Sequence, residues 1–479
     1  MRTLIWILGA GVVFGVGLTV YSFAKTPATI AQAKANMVHG EELYAKNCAA
    51  CHGADLGGGL AANLADDVWV NAKTASEITA MIKNGNDDLG MPGFGDQLSD
   101  SDIADVHIFI KSQAGRQKVT AATEAKSGST LVETEVWIDG LDAPWALVFT
   151  SAHHALLTEK SSGEIFEVID GKKAEMPVSG VPKVNSKGQG GLLDVAIDPD
   201  YAENGWIYIS FSHQLENGKD LNMTKVVRAH IKQGRWIDEQ TLFEAKLEHY
   251  LGTHHHYGSR ITFDESGHMF FSVGERGKKD MAQDITRPNG KIHRLMRDGS
   301  VPKDNPFLEN PKAYPSIFSY GHRNPQGLIY TDGRLWDTEH GPRGGDELNL
   351  IKAGANYGWP VISYGINYSG TVLTPYTHME GMEQPVSQWT PSIAACGLDV
   401  VSGEMFKDWD GYLLAGALKF KELRLIALED GQYVSEQILL KDKGRVRDVT
   451  TGPDGAIYVV LNDPGQILRL TPGSGYKGE

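Results

Sequence analysis

Cys48-Ala49-Ala50-Cys51-His52 sets two thiols three positions apart with a histidine directly after the second. Thiols at this spacing can form thioethers to the two vinyl groups of one heme, and the adjacent histidine can ligate its iron. The motif uses two of the chain's 3 cysteines. A zinc site would need two more ligands of this kind, and none follow. Met91, in Gly90-Met91-Pro92-Gly93-Phe94, offers a thioether in a Gly/Pro loop, a fitting sixth ligand for an electron-transfer heme. Met81, the competing thioether, lies in a helical-looking stretch where packing is the simpler role. A second set of chemistry-bearing residues lies far downstream. Arg323, Lys419, Arg445 and Arg447 are cations in a chain of net charge -15. Brought to one cleft, they would suit a small polyanion. A histidine of the run His254-His255-His256 could serve as general base beside them. Gly341-Pro342 offers backbone carbonyls in an irregular turn, a ligand type for a hard cation.

Two kinds of element must position these groups. Around the heme motif, Gly40, Leu43 and Tyr44 have the spacing of an amphipathic helix entering it. Ser99-Asp100 can cap a second helix, whose apolar face is Ile103, Val106, Ile108, Phe109 and Ile110. This predicts a small all-α domain over residues 37–115. Residues 116–132 are rich in Ala, Thr, Ser, Lys and Glu without apolar period, and read as a linker. About 16 such residues span roughly 20–24 Å root-mean-square.

From residue 133 a unit recurs: a polar turn with Asp or Gly, then β-branched and aromatic strands. The instances are 146–157, 196–212, 261–274, 328–337, 404–417 and 450–461. Six units over some 340 residues give about 57 each, against roughly 40–50 for a propeller blade with its loops. The prediction is a mainly β chain, a six-bladed β-propeller over 133–473 with the small all-α domain ahead of it. Gly accounts for 55 of 479 residues, in keeping with many tight turns. Propellers gather functional loops around one end of a central channel, where the downstream motifs should lie.

Composition removes several classes. Lys+Arg is 45 against Asp+Glu 60, the wrong sign for a nucleic-acid binder. Leu4 to Phe23 is an apolar run between Arg2 and Lys25, with Ser22-Phe23-Ala24 resembling a cleavage site. Residues 1–24 fit either a signal peptide or an uncleaved membrane anchor, and either one exports the rest of the chain to the periplasm or beyond.

Residues 37–115 resemble a class I cytochrome c along their whole length. Residues 133–473 resemble the PQQ-dependent soluble aldose (glucose/sorbosone) dehydrogenases. "GQGGLLDVAIDPDY" at 188–201, "GHRNPQGL" at 321–328, "GPRGGDELNLI" at 341–351, "NYGWP" at 356–360, "LK" at 418–419 and "RVRD" at 445–448 follow in the family's order. The resemblance implies that His256 is the base taking the proton of an aldose C1 hydroxyl, with Glu275 holding its tautomer. It implies cofactor contacts from Gln189, Arg323, Asn324, Tyr368, Lys419, Arg445 and Arg447. It implies Ca²⁺ on the Gly341 and Pro342 carbonyls, and a second, structural calcium on Glu347 and the Tyr357 carbonyl. Two departures lie beside the expected sugar subsite: His340 where the glucose enzymes carry Gln, and His255 where they carry Asp.

The combined expectation is a quinohemoprotein. It would oxidise an aldose to its lactone at PQQ and hand electrons to its own heme c, attached through Cys48 and Cys51 and ligated by His52 and Met91. From there they would pass to a respiratory acceptor, the quinone pool or another cytochrome. Fusion through a short linker makes the internal transfer a millimolar-range event. Two other classes fit the propeller: a Ca²⁺-dependent hydrolase of lactonase type, which needs neither four cations nor heme, and a sugar-binding module with an electron-transfer cytochrome.

Overall fold

A computed structural model describes residues 39–53, 56, 61, 64, 74–86, 91–113, 130–215 and 219–478. The apolar run 4–23 and linker residues 116–129 lie outside them. No helix among the described residues is long and apolar enough to cross a membrane.

The first domain is helical. A helix over 39–47 enters the heme motif, which itself forms the turn Ala49–His52. Helix Ala75–Asn84 begins at a reciprocal cap between Thr74 and Glu77. Helix Asp100–Gln113 begins as expected: Ser99 Oγ accepts from the Asp102 N–H, and the Asp102 carboxylate accepts from the Ser99 N–H. Ile103, Val106, Phe109 and Ile110 are buried against Tyr44, Ile78 and Ile82. Ile108, expected on the same face, is 41% exposed, because the 3.6-residue period turns it outward. The first helix crosses this one closely at Gly40, where an added Cβ would stand 2.1 Å from the Asp105 carbonyl oxygen.

The second domain consists of six four-stranded antiparallel sheets among the described residues. Blades one to five span Pro144–Lys173, Leu192–Phe243, Ile261–Tyr320, Pro325–Trp389 and Ala395–Lys441. Blade six takes three strands from Val446–Pro472 and its outer strand from Val132–Ile138. Val132 pairs with Pro472 and Glu135 with Arg469, so the domain's first strand closes the ring against its last. The expected linker therefore ends before Val132. In blade five the repeat reading falls one element late. Its first strand is Ala395–Val400, and Glu404–Trp409 is a 3₁₀ segment leading into the second strand, Leu413–Ala417.

Apolar cores fill the spaces between neighbouring blades. Between blades one and two, for example, Trp145, Leu156, Leu192, Ile207, Val227 and Trp236 share one cluster. Near the axis the blades meet through polar groups. Arg260, 6% exposed, binds Asp194 of blade two at 2.8 Å and Asp448 of blade six at 2.7 Å. Its Nε donates to the Gln326 carbonyl of blade four at 2.9 Å, and its guanidinium lies 4.2 Å from the Trp145 ring of blade one. Asp448 in turn accepts from the Leu147 N–H of blade one.

Removing one partner of a buried ion pair strands the other charge, at a cost of about 3–5 kcal/mol. Arg260→Met should therefore lower the propeller's stability by about that amount in urea unfolding, through Asp194 and Asp448. A midpoint unchanged from the parent would show that this axial junction is energetically idle.

Candidate active site

In a four-stranded meander, the link from second to third strand and the link to the next blade emerge at the same end. The expected site residues of the second domain fall largely on these links. Gln189, His256, Arg323 and Arg445 lie between blades, and Asn324 and Arg447 lie at or beside the starts of first strands. Glu275, His340, Gly341, Pro342 and Lys419 lie between second and third strands. Sequence positions far apart thus share one rim.

His256 lies on the link between blades two and three. Its Nδ1 is 2.6 Å from Glu275 Oε1, and Glu275 is 2% exposed. A carboxylate here makes Nδ1 the protonated nitrogen and leaves Nε2 as the proton acceptor. His256 has φ +55, the left-handed region that a non-glycine residue enters at a cost. Gln189 secures that conformation: its Oε1 accepts from the His256 N–H at 2.8 Å, while its own N–H donates to the His254 carbonyl. Burial lowers the imidazole's pKa, Glu275 raises it by hydrogen bonding, and the Arg323 charge lowers it again; the net direction is below 6.5. The ring is neutral at neutral pH and can accept a proton.

Arg323 and Asn324 follow the last strand of blade three. Glu339 Oε2 accepts from both backbone N–H groups, at 2.7 and 3.3 Å. The Arg323 side chain donates to the His340 carbonyl at 3.0 Å and to the Tyr368 hydroxyl at 3.4 Å. Tyr368 is 73% exposed at the outer edge. Asn324 Oδ1 accepts from the Gly258 N–H. Gln326 links this side to Arg447, whose NH1 donates to Gln326 Oε1 at 2.9 Å. His340 stands among them. Burial, then the charges of Arg323 and Arg447, hold its pKa well below the ordinary range. Gly341 is tightly enclosed: a Cβ there would lie 2.2 Å from the carbonyl oxygens of Gly344 and Gly345. Its N–H donates to Asp346.

The rim holds more hydrogen-bonding capacity than it uses. Arg323 Nε, Arg447 Nε, His340 Nε2 and Glu275 Oε2 are buried without partners among the described residues. The Lys419 and Arg445 side chains make no hydrogen bond or ion pair there; Lys419 reaches only the Phe420 ring, at 5.6 Å. Buried donors without partners are costly, so Arg323 Nε and Arg447 Nε, with the more open Lys419 and Arg445 on the same rim, favour an acceptor-rich anion. The donor set and the enclosed carbonyl turn fit a polycarboxylate quinone with its cation.

Glu347 lies opposite Glu339 across the strands of blade four. The Glu347 carboxyl accepts from Asn349 Nδ2 at 3.3 Å. Burial and the Glu339 charge hold its pKa well above the ordinary value. The Tyr357 ring stacks on His322 at 4.6 Å. In the helical domain, Cys48 and Met91 are half-buried against the same apolar cluster.

Several residues escaped sequence reasoning. Lys160 donates to the carbonyls of Gly188 and Gly190, flanking Gln189. Its pKa is lowered by burial and by the Arg447 charge, which places it beside that guanidinium. It occupies the link between second and third strands of blade one, the same repeat position that carries Glu275 and Lys419. That position was the available signal. Cys396, without an assigned role, is fully buried with Sγ 3.1 Å from Arg447 NH1. His255, one of the two departures, lies with its ring edge-on to His256, 4.8 Å between centroids, and against Gly277.

A β-propeller whose rim joins a carboxylate-held imidazole to cations without carboxylate partners offers a proton acceptor beside an anion-binding cleft. Residues 141–469 match the Glucose / Sorbosone dehydrogenase family model, and residues 35–110 match that of Cytochrome C oxidase, cbb3-type, subunit III. The chain is 39% identical over 348 residues to the aldose sugar dehydrogenase YliI of Escherichia coli, covering 71% of this chain and 93% of that one. It superposes on the PQQ-bound aldose sugar dehydrogenase of Streptomyces coelicolor with a TM-score of 0.58 at 27% identity, over 72% of this chain and 99% of that one. An 83-residue stretch is 37% identical to cytochrome c6 of Synechocystis, covering 17% of this chain and 68% of that one. The chain belongs to the glucose/sorbosone dehydrogenase family, with a cytochrome c domain ahead of the propeller, and is an oxidoreductase acting on sugar CH–OH groups.

Glu275→Gln removes the carboxylate held at His256 Nδ1; with His256 as the base, sugar turnover should fall by about 10²- to 10⁴-fold. Activity should fall on the acid side, as pH drops through the lowered His256 pKa. Losing the carboxylate that raises this pKa should move the acid limb to still lower pH. An acid limb that stays in place in pH–rate profiles of the two proteins would remove Glu275 from this role.

Proposed function

We propose that the protein oxidises aldoses at C1 to lactones with PQQ and passes the electrons to its own heme c. The observation that carries this reading is the pairing of a neutral, carboxylate-held His256 with unspent cationic donors on one propeller rim. PQQ, when bound, supplies an ortho-quinone that takes up two electrons, and its three carboxylates give the rim's cations their partners. Arg323, Asn324, Arg447, Arg445 and Lys419 would hold it, with Tyr368 at the outer edge. The carbonyls of Gly341 and Pro342 would hold Ca²⁺, in a turn too tight for any side chain at Gly341. His256 accepts the C1 hydroxyl proton at Nε2, and Glu275 stabilises the resulting imidazolium. Gln189 keeps the ring in place through the His256 backbone.

Aldose-to-lactone oxidation releases two electrons and two protons, whereas a heme takes one electron at a time. The fused cytochrome therefore receives electrons in two successive events, with Cys48 and Cys51 attaching the heme and His52 and Met91 as its axial ligands. A respiratory acceptor, either the quinone pool or another cytochrome, drains it. The apolar run 4–23 supports export to the periplasm, free or anchored. Glu347 and the Tyr357 carbonyl are the candidates for a second calcium.

The full chain, supplied with PQQ and Ca²⁺, should show sugar-dependent growth of the reduced heme α-band. His256→Ala should retain PQQ but reduce heme at least about 10²-fold more slowly. Heme reduction that needs no PQQ, or that survives in His256→Ala, would overturn the assignment. Met91→Ala should keep the heme attached but change its spin state in the visible spectrum; an unaltered spectrum would move the sixth ligand elsewhere.

A further inference from the structure

Blade four carries a concentration of acid on one face. Where strand Arg334–Glu339 pairs with Asp346–Ile351, Asp337 lies opposite Asn349 and Glu339 opposite Glu347. Residues two apart on a strand share a face. Three carboxyl groups and one amide therefore share one face, and Asp337 and Glu339 face His322 at the end of blade three. His322, Asp337 and Asn349 are fully buried and Glu339 is 3% exposed.

No Lys or Arg side chain pairs with Asp337 or Glu339 among the described residues. The Asn349 amide is spread over Asp337 at 3.1 Å, Glu347 at 3.3 Å and Glu339 at 3.5 Å. Asp337 Oδ2, the atom facing His322, has no hydrogen-bond partner. His322 Nδ1 lies 3.7 Å from that oxygen and 3.4 Å from Glu339 Oε1. These gaps are too long for a charge-assisted hydrogen bond, which runs about 2.7–2.9 Å. They suit donors that share an ion at about 2.0–2.2 Å from each. One ligand atom from each of His322, Asp337 and Glu339 falls within 4.8 Å of the others. Ser319 Oγ lies 2.8 Å from His322 Nε2. If Nε2–H donates there, Nδ1 turns a lone pair toward the two carboxylates, and an imidazole fixed in this way is the usual arrangement of a metal ligand.

We propose that His322, Asp337 and Glu339 form a binding site for a divalent transition-metal ion of the zinc class, distinct from the oxygen-only calcium positions. Its donor set is one imidazole nitrogen and two carboxylates, with a position left for water. Calcium takes six to eight oxygens and has little use for imidazole. The site connects to the rim through Glu339. One oxygen of this carboxylate faces the metal position, and the other accepts the Arg323 and Asn324 N–H groups. A bound ion would fix Glu339 and, through it, the turn that presents both side chains.

The test uses the full chain, chelated and then saturated with Ca²⁺ so that the oxygen sites are filled. Calorimetric titration with Zn²⁺ alone should give one equivalent at submicromolar affinity, weakened at least about 100-fold in Asp337→Asn. Zinc K-edge absorption on the unmutated protein should show one imidazole and two or three oxygen neighbours, and this does not depend on a variant folding. Absence of zinc binding at 100 µM, equal binding by Asp337→Asn, or a zinc environment of several imidazoles, as surface histidines would give, would each overturn the proposal.

Discussion

The guanidinium of Arg260 ties the centre of the ring together. Carried just before the first strand of blade three, it contacts blades one, two, four and six through Trp145, Asp194, the Gln326 carbonyl, Asp448 and the Arg447 carbonyl. Propeller blades pack against their neighbours through apolar faces, and their first strands converge on an axis too narrow for a second apolar core. A buried cation between two carboxylates fills that space with fixed geometry, and here the geometry also sets the floor of the site. Arg447 is one residue from Asp448, and Asn324 is two from Gln326.

Above this floor the rim accepts local costs that its surroundings can bear. His256 occupies the left-handed region because Gln189 takes its N–H, and Arg276, also at positive φ, is fully buried against Tyr257 and the Asn222 side chain. Arg323 and Arg447 both stand beside His340 without a carboxylate partner, in a molecule that is strongly acidic as a whole. Strain and unsatisfied polarity of this kind are held in place only where the scaffold over-determines them. Six interlocked sheets closed by the Val132–Ile138 strand provide that rigidity. The single conformation of the site is thus a property of the whole ring.

Much of this was legible in the sequence, and the exceptions have physical causes. The repeat announced six blades because each carries a turn and an alternating strand pair within a short stretch. Ring closure was not legible, since Glu135 pairs with Arg469 across nearly the whole domain and no local pattern encodes such a pairing. His256, Glu275 and Arg323 could be placed on the rim because they sit in distinctive motifs. Lys160 carried only its repeat position as a signal, and Arg260 carried none, because an Arg before a strand is ordinary until the ring brings it to the axis. Ile108 was misplaced because a broad apolar stretch of helix blurs which flank faces the core. The acid face of blade four was also hidden. Asp337, Glu339, Glu347 and Asn349 read as two alternating polar patterns, and only the strand register sets them side by side.

That the rim's cations stand unpaired in order to receive an anionic quinone is tested most directly by calorimetric titration of PQQ into calcium-loaded protein that has been stripped of cofactor. A single equivalent should bind, and replacing Arg447 by Met should weaken it by about 10- to 100-fold, the worth of one charge-assisted contact. Equal affinity in the two proteins, or no saturable binding in either, would contradict the account.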